Sequence, residues 1–312
     1  MTKRVISVFL CVLCVISSIS FIVSAKENKE YTSDNFLSVA DGIIAWKKAD
    51  NGSEPDGYLI NDKYLENAGT TPGDWYPIAL GRLGVQDNNE GYLAVIKDRV
   101  EERYRESGRL SAAKATEWHR IALAVLAMGG DPTNFGTDEN GAPINLIADG
   151  TYDRGKTTPL GRQGINGWIW GLITLDSMRY AVPDGAYNTR DDIIVEIISK
   201  QLSDGGFALS SDDADPDITA MAITALAPYY NSEKIYSYHR KALSADESKT
   251  VHEVVDEAVL CLSRLQLDTG DYKSWGTQNV ESTDWVAVAL CSLNIDPCLL
   301  YTSPSPRDRT RS

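Results

Sequence analysis

The chain has 312 residues, 43% of them apolar and 24% charged, which is enough apolar material for the core of one large domain. Its formal net charge is −14, and it is more negative still once Lys3, Arg4 and the terminal Arg307, Arg309 and Arg311 are set aside. A domain this acidic repels nucleic acid and anionic lipid, so no nucleic-acid partner is expected. Cys11 and Cys14 fall in the apolar N-terminal stretch and leave Cys261, Cys291 and Cys298. That odd set is not the framework of a small disulfide protein.

At the N-terminus Lys3 and Arg4 precede an apolar run over 5–23, and Val23, Ser24 and Ala25 read as a cleavage site. Residues 1–25 are therefore predicted to be a signal peptide and 26–33 a linker, which makes the protein secreted, extracellular or displayed on the cell surface. Left uncleaved, the run is long enough to span a bilayer, and this is the only membrane contact the sequence offers. From 34 to 298 helical periodicity dominates, with no strand alternation longer than a few residues, so the domain is expected to be all-α.

The helices read as hairpins of a charged outer and an apolar inner member. An outer helix over 35–48 carries Phe36, Ala40, Ile43, Ile44 and Lys47 on one face, and its inner partner covers 74–83 and stops at Gly84. The second hairpin is predicted at 90–105 and 116–128, and the third at 144–148 and 165–179. The fourth falls at 191–201 and 216–229, and the fifth at 250–265 and 281–293. Lys97, Asp98, Arg99, Glu101, Glu102 and Arg103 turn their outer helix to water, whereas the run from Ala220 to Ala227 is apolar apart from Thr224 and implies burial. Cys261 and Cys291 lie in such apolar runs and read as core residues.

Each inner helix opens with a polar residue followed by leucine nine positions on: Asp74 and Leu83, Glu117 and Leu126, Asn166 and Leu175, Asp217 and Leu226, Glu281 and Leu290. The copies are offset by 43, 49, 51 and 64 residues, and self-similarity at that period marks stacked helical hairpins, because one hairpin cannot bury its own apolar face. Outer helices around parallel inner helices make an α/α toroid over 34–298, with about five of six hairpins present. The tail 299–312 has no periodicity and resembles translated sequencing-adapter sequence, so it is expected to be non-native.

Two segments carry a resemblance. Gln201, Leu202, Ser203, Asp204, Gly205, Gly206 and Phe207 lead to Asp215, Pro216, Asp217, Ile218 and Thr219. A weaker copy runs from Gln266, Leu267, Asp268, Thr269 and Gly270 to Trp275, Gly276, Glu281 and Thr283. This pattern resembles the prenyltransferase and squalene-oxidase repeat of the terpenoid cyclase and protein prenyltransferase superfamily. It is closest to secreted bacterial surface repeat proteins and to the α-domain of cobalamin carriers. The resemblance implies an α/α barrel and several functions, among them binding of a hydrophobic or planar molecule such as cobalamin, or a place beside downstream domains of a longer surface protein. In the cyclase members a middle aspartate protonates an alkene or epoxide. On that match Asp217 would be the catalytic acid, with Ile218 standing where the motif ends in another acid.

From the residues themselves, the acids read first as helix starts: Asp215 as an N-cap with Pro216 at the first helical position, Asp217 in the first turn, and Thr71 to Asp74 as a near capping box. With parallel inner helices these starts share a rim. Asp74, Glu117, Asn166, Asp215, Asp217, Thr219 and Glu281 there, with Trp75, Trp118, Trp168, Trp170 and Trp285 beside them, form the expected ligand site. No metal is expected, since His119, His239 and His252 lack ligand spacing and Asp212, Asp213, Asp215 and Asp217 lack that of a calcium loop.

Overall fold

The computed structural model describes residues 33–155 and 158–297. The leader 1–25, most of the linker, Cys298 and the tail 299–312 lie outside these residues. The described chain is mostly helical, with two small antiparallel hairpins and no closed sheet. Among the described residues no helix is long and apolar enough to cross a membrane. The described residues divide into two compact units, those up to Arg109 with Arg120–Ile144, and Leu110–His119 with those from Asn145 onward.

The first unit holds α1 (Ser33–Asp50), α2 (Asp62–Leu65), α3 (Thr71–Leu83), α4 (Asn89–Ser107) and the second half of α5 (Ala115–Ala127). Its core gathers Leu59, Ile60, Leu80, Tyr92, Ile96 and Val125, all essentially without solvent contact. Burying each aliphatic side chain of this kind stabilises the fold by about 1.5–3 kcal/mol. The Asp87 carboxylate ties the α1–α2 connection to this core by accepting from the Leu59 and Ile60 amides, both at 2.9 Å. Gly84 and Gly108 end α3 and α4 in the left-handed conformation expected of a helix stop.

The second unit starts with the first half of α5 and continues through a π-turn (Ala148–Tyr152), a 3-10 turn (Leu160–Gln163), α6 (Ile165–Asp176), α7 (Arg190–Ile198) and α8 (Pro216–Leu226). After these come β1 (Ile235–Arg240), β2 (Ala245–Thr250), α9 (Val251–Leu265), β3 (Lys273–Ser274), β4 (Thr277–Gln278) and α10 (Val280–Ser292). Helix starts follow local chemistry. Thr189 with Asp192 and Thr250 with Glu253 form reciprocal capping boxes, while Asp215 and Asn279 cap α8 and α10. Helix α8 is the centre of the unit, packed against α6, α9 and α10, with Ala220, Ala222, Ile223 and Leu226 fully buried.

Several expectations need correction. The outer piece expected over 144–148 is shifted: Leu146 and Ile147 begin a helical turn that widens into the π-turn, after Asn145 Oδ1 has accepted from the Ile147 and Ala148 amides. Helix α6 stops at Asp176, three residues early, and Arg179 takes a φ of 55°. The β1–β2 hairpin departs from an all-α reading: Tyr236, Tyr238 and Arg240 face inward and alternate with exposed Ile235, Ser237 and His239. The capping box at Thr71 does not form, because Thr70 precedes α3 without a side-chain cap and Asp74 turns into the core.

Candidate functional site

The resemblance-bearing segment 201–219 is a hydrogen-bonded scaffold. Gln201 is fully buried, and its Nε2 donates to Gly205 O at 2.8 Å and Val254 O at 2.9 Å. Asp204 spans the turn, its Oδ1 accepting from Gly206 N and its Oδ2 from Ala214 N. Thr219 Oγ1 accepts from Phe207 N at 2.9 Å and donates to Phe207 O at 3.1 Å, pinning the turn to α8. The paired glycines are required by space: Gly205 has a φ of +89°, and a Cβ on Gly206 would stand 2.4 Å from the Ala214 Cβ. Thr219 is thus a buried tie between turn and helix.

The weaker copy repeats part of this scaffold. Gln266 Nε2 donates to Gly270 O at 2.9 Å, Leu267 N to Asp271 O, and Tyr272 N to Thr283 Oγ1 at 3.2 Å. Asn279 then corresponds to Asp215, Glu281 to Asp217, Thr283 to Thr219, Asp284 to Ala220 and Trp285 to Met221. The first turns of α8 and α10 lie side by side. Ser274 Oγ on β3 donates to Asp215 Oδ2 and Ser282 Oγ to Asn279 Oδ1, with both hydroxyls near Asp217.

Two carboxyls in this place are held above the ordinary range. Burial raises Asp217, opposed by the Ser282 hydroxyl and reinforced by the nearby charges of Asp215 and Glu281. Burial likewise pushes Asp284 up to about 7, with Glu281 adding to it. Asp217 Oδ1, Asp284 Oδ2 and Asn166 Oδ1 are buried atoms without a hydrogen-bond partner. Asp284 escaped the sequence reading because only the alignment of the two copies shows a carboxyl at the place of a buried alanine.

Trp170 and Trp285 are each the sixth residue of their helices, α6 and α10, and meet edge to face with centroids 5.9 Å apart. Both are half-buried, as are Asn166, Asp217 and Glu281. Each tryptophan lies one helical turn beyond the polar start of its helix, Asn166 or Glu281, on the same face. The structure therefore brings Asp217, Glu281, Trp285 and Trp170 into one neighbourhood.

Other predicted residues serve elsewhere. Asp74, in the first unit, is fully buried and saturated: its Oδ1 accepts from Gly69 N and Tyr92 Oη, and its Oδ2 from Arg120 Nε at 2.7 Å. Trp75 is half-buried in the same unit. In the second unit Glu117 accepts from Ser111 N at 2.7 Å, and Trp118 is buried with its Nε1 donating to Ser111 O under the Arg154 guanidinium. Trp168 is half-buried with Lys200 Nζ 5.8 Å from its ring. His119 is wholly buried, donates from Nε2 to Gly150 O at 2.9 Å, and is kept neutral by burial, which lowers it to about 3. A carbonyl can only accept, so the proton sits on Nε2.

A separate groove of about 340 Å³ opens between the 203–205 turn, the β1–β2 hairpin and α9. Its charges neutralise one another, with Lys249 Nζ 2.6 Å and Arg240 Nη1 3.1 Å from Glu257. Among the described residues no three His, Cys, Asp or Glu side chains converge in a way that could hold a metal ion. No family model, curated protein or solved structure matches the chain.

Proposed function

We propose that this is the repeat domain of a secreted or cell-surface protein, an α/α toroid of the prenyltransferase and squalene-oxidase repeat kind, which binds a planar, largely apolar molecule without transforming it. The ligand face is the one where α6, α8 and α10 carry Asn166, Trp170, Asp217, Glu281 and Trp285. One observation carries this reading: two tryptophans meet edge to face at 5.9 Å yet stay half-exposed, beside carboxyl and amide oxygens that have no partner. Large aromatic surface with a few unspent polar atoms is the composition of a small-molecule site. Indole is a suitable probe, followed by saturation-transfer NMR. Trp170→Ala and Trp285→Ala should each weaken its binding about tenfold while the helical circular dichroism is kept. Unchanged binding in both variants would reject the face.

A second reading has its own observation. A general acid must hold its proton near neutral pH, and burial raises the Asp217 carboxyl. On this reading the protein is a cyclase-like enzyme acting on a polyprenyl or triterpene substrate. Cyclised product from squalene-like or geranylgeranyl-type substrates, abolished in Asp217→Asn, would establish it in place of binding.

A further inference from the structure

The groove of about 340 Å³ between the 203–205 turn, the β1–β2 hairpin and α9 shares no lining residue with the tryptophan face, and it is a cleft of the size that takes small molecules. In a chain with a net charge of −14 it gathers three cations, each from a different element: Arg240 from β1, Lys249 from β2 and Arg264 from α9.

Packing explains two of them. Arg240, with a side chain only 4% exposed, donates from Nε to Gln201 O and from Nη1 to Glu247 and Glu257. Lys249 Nζ stands 2.6 Å from Glu257 and 3.3 Å from Glu247. Two cations thus offset two acids and clamp the hairpin to α9. The third acid of the lining, Asp204, spends both carboxylate oxygens on the Gly206 and Ala214 amides. Arg264 is left over. It is exposed and in no ion pair among the described residues; the Asp204 carbonyl takes a hydrogen from its Nη2, and the Cys261 thiol lies nearby. Its place in the last turn of α9 suits a cation, but a guanidinium carries five N–H donors and the chain uses few of these.

Leu260 stands one turn before Arg264 on the same stripe of α9, lines the same groove and is 52% exposed. An apolar side chain left in water beside a guanidinium with donors to spare presents complements for the two halves of one ligand, an apolar body and an anionic acceptor. A carboxylate matches the planar fork of the guanidinium. A phosphate group, with more charge, suits the groove less, because Glu247 and Glu257 line it too. We infer that the groove takes a small carboxylate with an apolar body, the carboxylate paired with Arg264 and the body lying on Leu260. Free carboxylic acids and the C-terminal ends of peptides share this chemistry. The inference is independent of the reading of the tryptophan face and goes beyond it.

N-acetylleucine and N-acetylleucinamide share an apolar body and differ in carboxylate against carboxamide. Their dissociation constants for the full chain, measured by saturation-transfer NMR at neutral pH and low salt, test the assignment. The acid should bind at least about fivefold more tightly than the amide. Arg264→Gln should bring the two within about twofold of each other, and Leu260→Ser should weaken both about threefold; both positions are exposed, and circular dichroism verifies that the variants are folded. An acetylated pentapeptide ending in leucine separates the two sources: affinity at least equal to that of N-acetylleucine assigns the groove to peptide ends, and weaker binding assigns it to free acids. Equal affinity of acid and amide for the wild type would overturn the carboxylate. A preference unchanged in Arg264→Gln would overturn its place in this groove, and no binding of any of the three at millimolar concentration would overturn the site.

Discussion

The two copies of the turn-and-helix scaffold in the second unit share part of their bonds and differ in their load. In the first, Gln201 is fully buried and its amide satisfies two backbone carbonyls; in the second, Gln266 is half-buried and satisfies one. In the first, the helix face behind the cap is Ala220 and Met221; in the second it is Asp284 and Trp285, a raised carboxyl and half of an aromatic pair. The first copy is built to hold the unit together. The second keeps part of that frame but places, where the first buries Ala220, a carboxyl whose Oδ2 has no donor among the described residues, and in the place of Met221 the Trp285 ring that meets Trp170.

The largest effect that would break this contrast lies at the two glutamines. Gln201→Ala removes the side-chain donor of the Gly205 carbonyl and the tie to the Val254 carbonyl of α9, and should cost roughly 3 kcal/mol, against about 1 kcal/mol for Gln266→Ala. Urea titrations of the two variants check it. Equal losses would show that the copies bear the same load.

The next effect is at Asp284, and its sign depends on pH. The folded carboxyl titrates near 7, above its ordinary value of 3.8, so the folded chain binds the extra proton between those values and stability falls as pH rises through that window. Asp284→Ala, which copies the residue of the first repeat, should therefore raise stability by about 1–3 kcal/mol above neutrality, and the gain should shrink toward zero as pH falls to about 4. Urea midpoints measured at both ends of the window test this. A loss of stability at high pH would mean that the carboxyl has a structural partner.

The smallest effect concerns the caps. Asp215→Ala removes the bond to Ile218 N and the partner of Ser274, and should cost about 1–2 kcal/mol. Asn279→Ala loses bonds from Ser282 N and Ser282 Oγ and should cost about 1 kcal/mol. Thermal melts resolve the two, and a reversed order would place the heavier cap on α10.

By itself the sequence determined the helical elements and most of their starts, because caps and apolar periodicity are local: Asp215 with Pro216, Thr250 with Glu253 and the buried alanine run of α8 depend on neighbours within a few positions. The likeness of segments 201–219 and 266–283 was legible for the same reason, since like residues at like spacing return the Gln201–Gly205 and Gln266–Gly270 bonds. The β1–β2 hairpin was partly legible in the alternation of Tyr236, Tyr238 and Arg240, but six residues are too short a run to outweigh helical surroundings. Tertiary structure alone decided which polar residues are spent. Asp74 and Asp217 look alike as first-turn acids, yet the first is saturated by Gly69, Tyr92 and Arg120, the last 46 positions away, and the second keeps a bare oxygen. The partner of a buried charge comes from another part of the chain, and its presence or absence is settled only when helices pack; the same holds for Asp284, and for Trp170 finding Trp285.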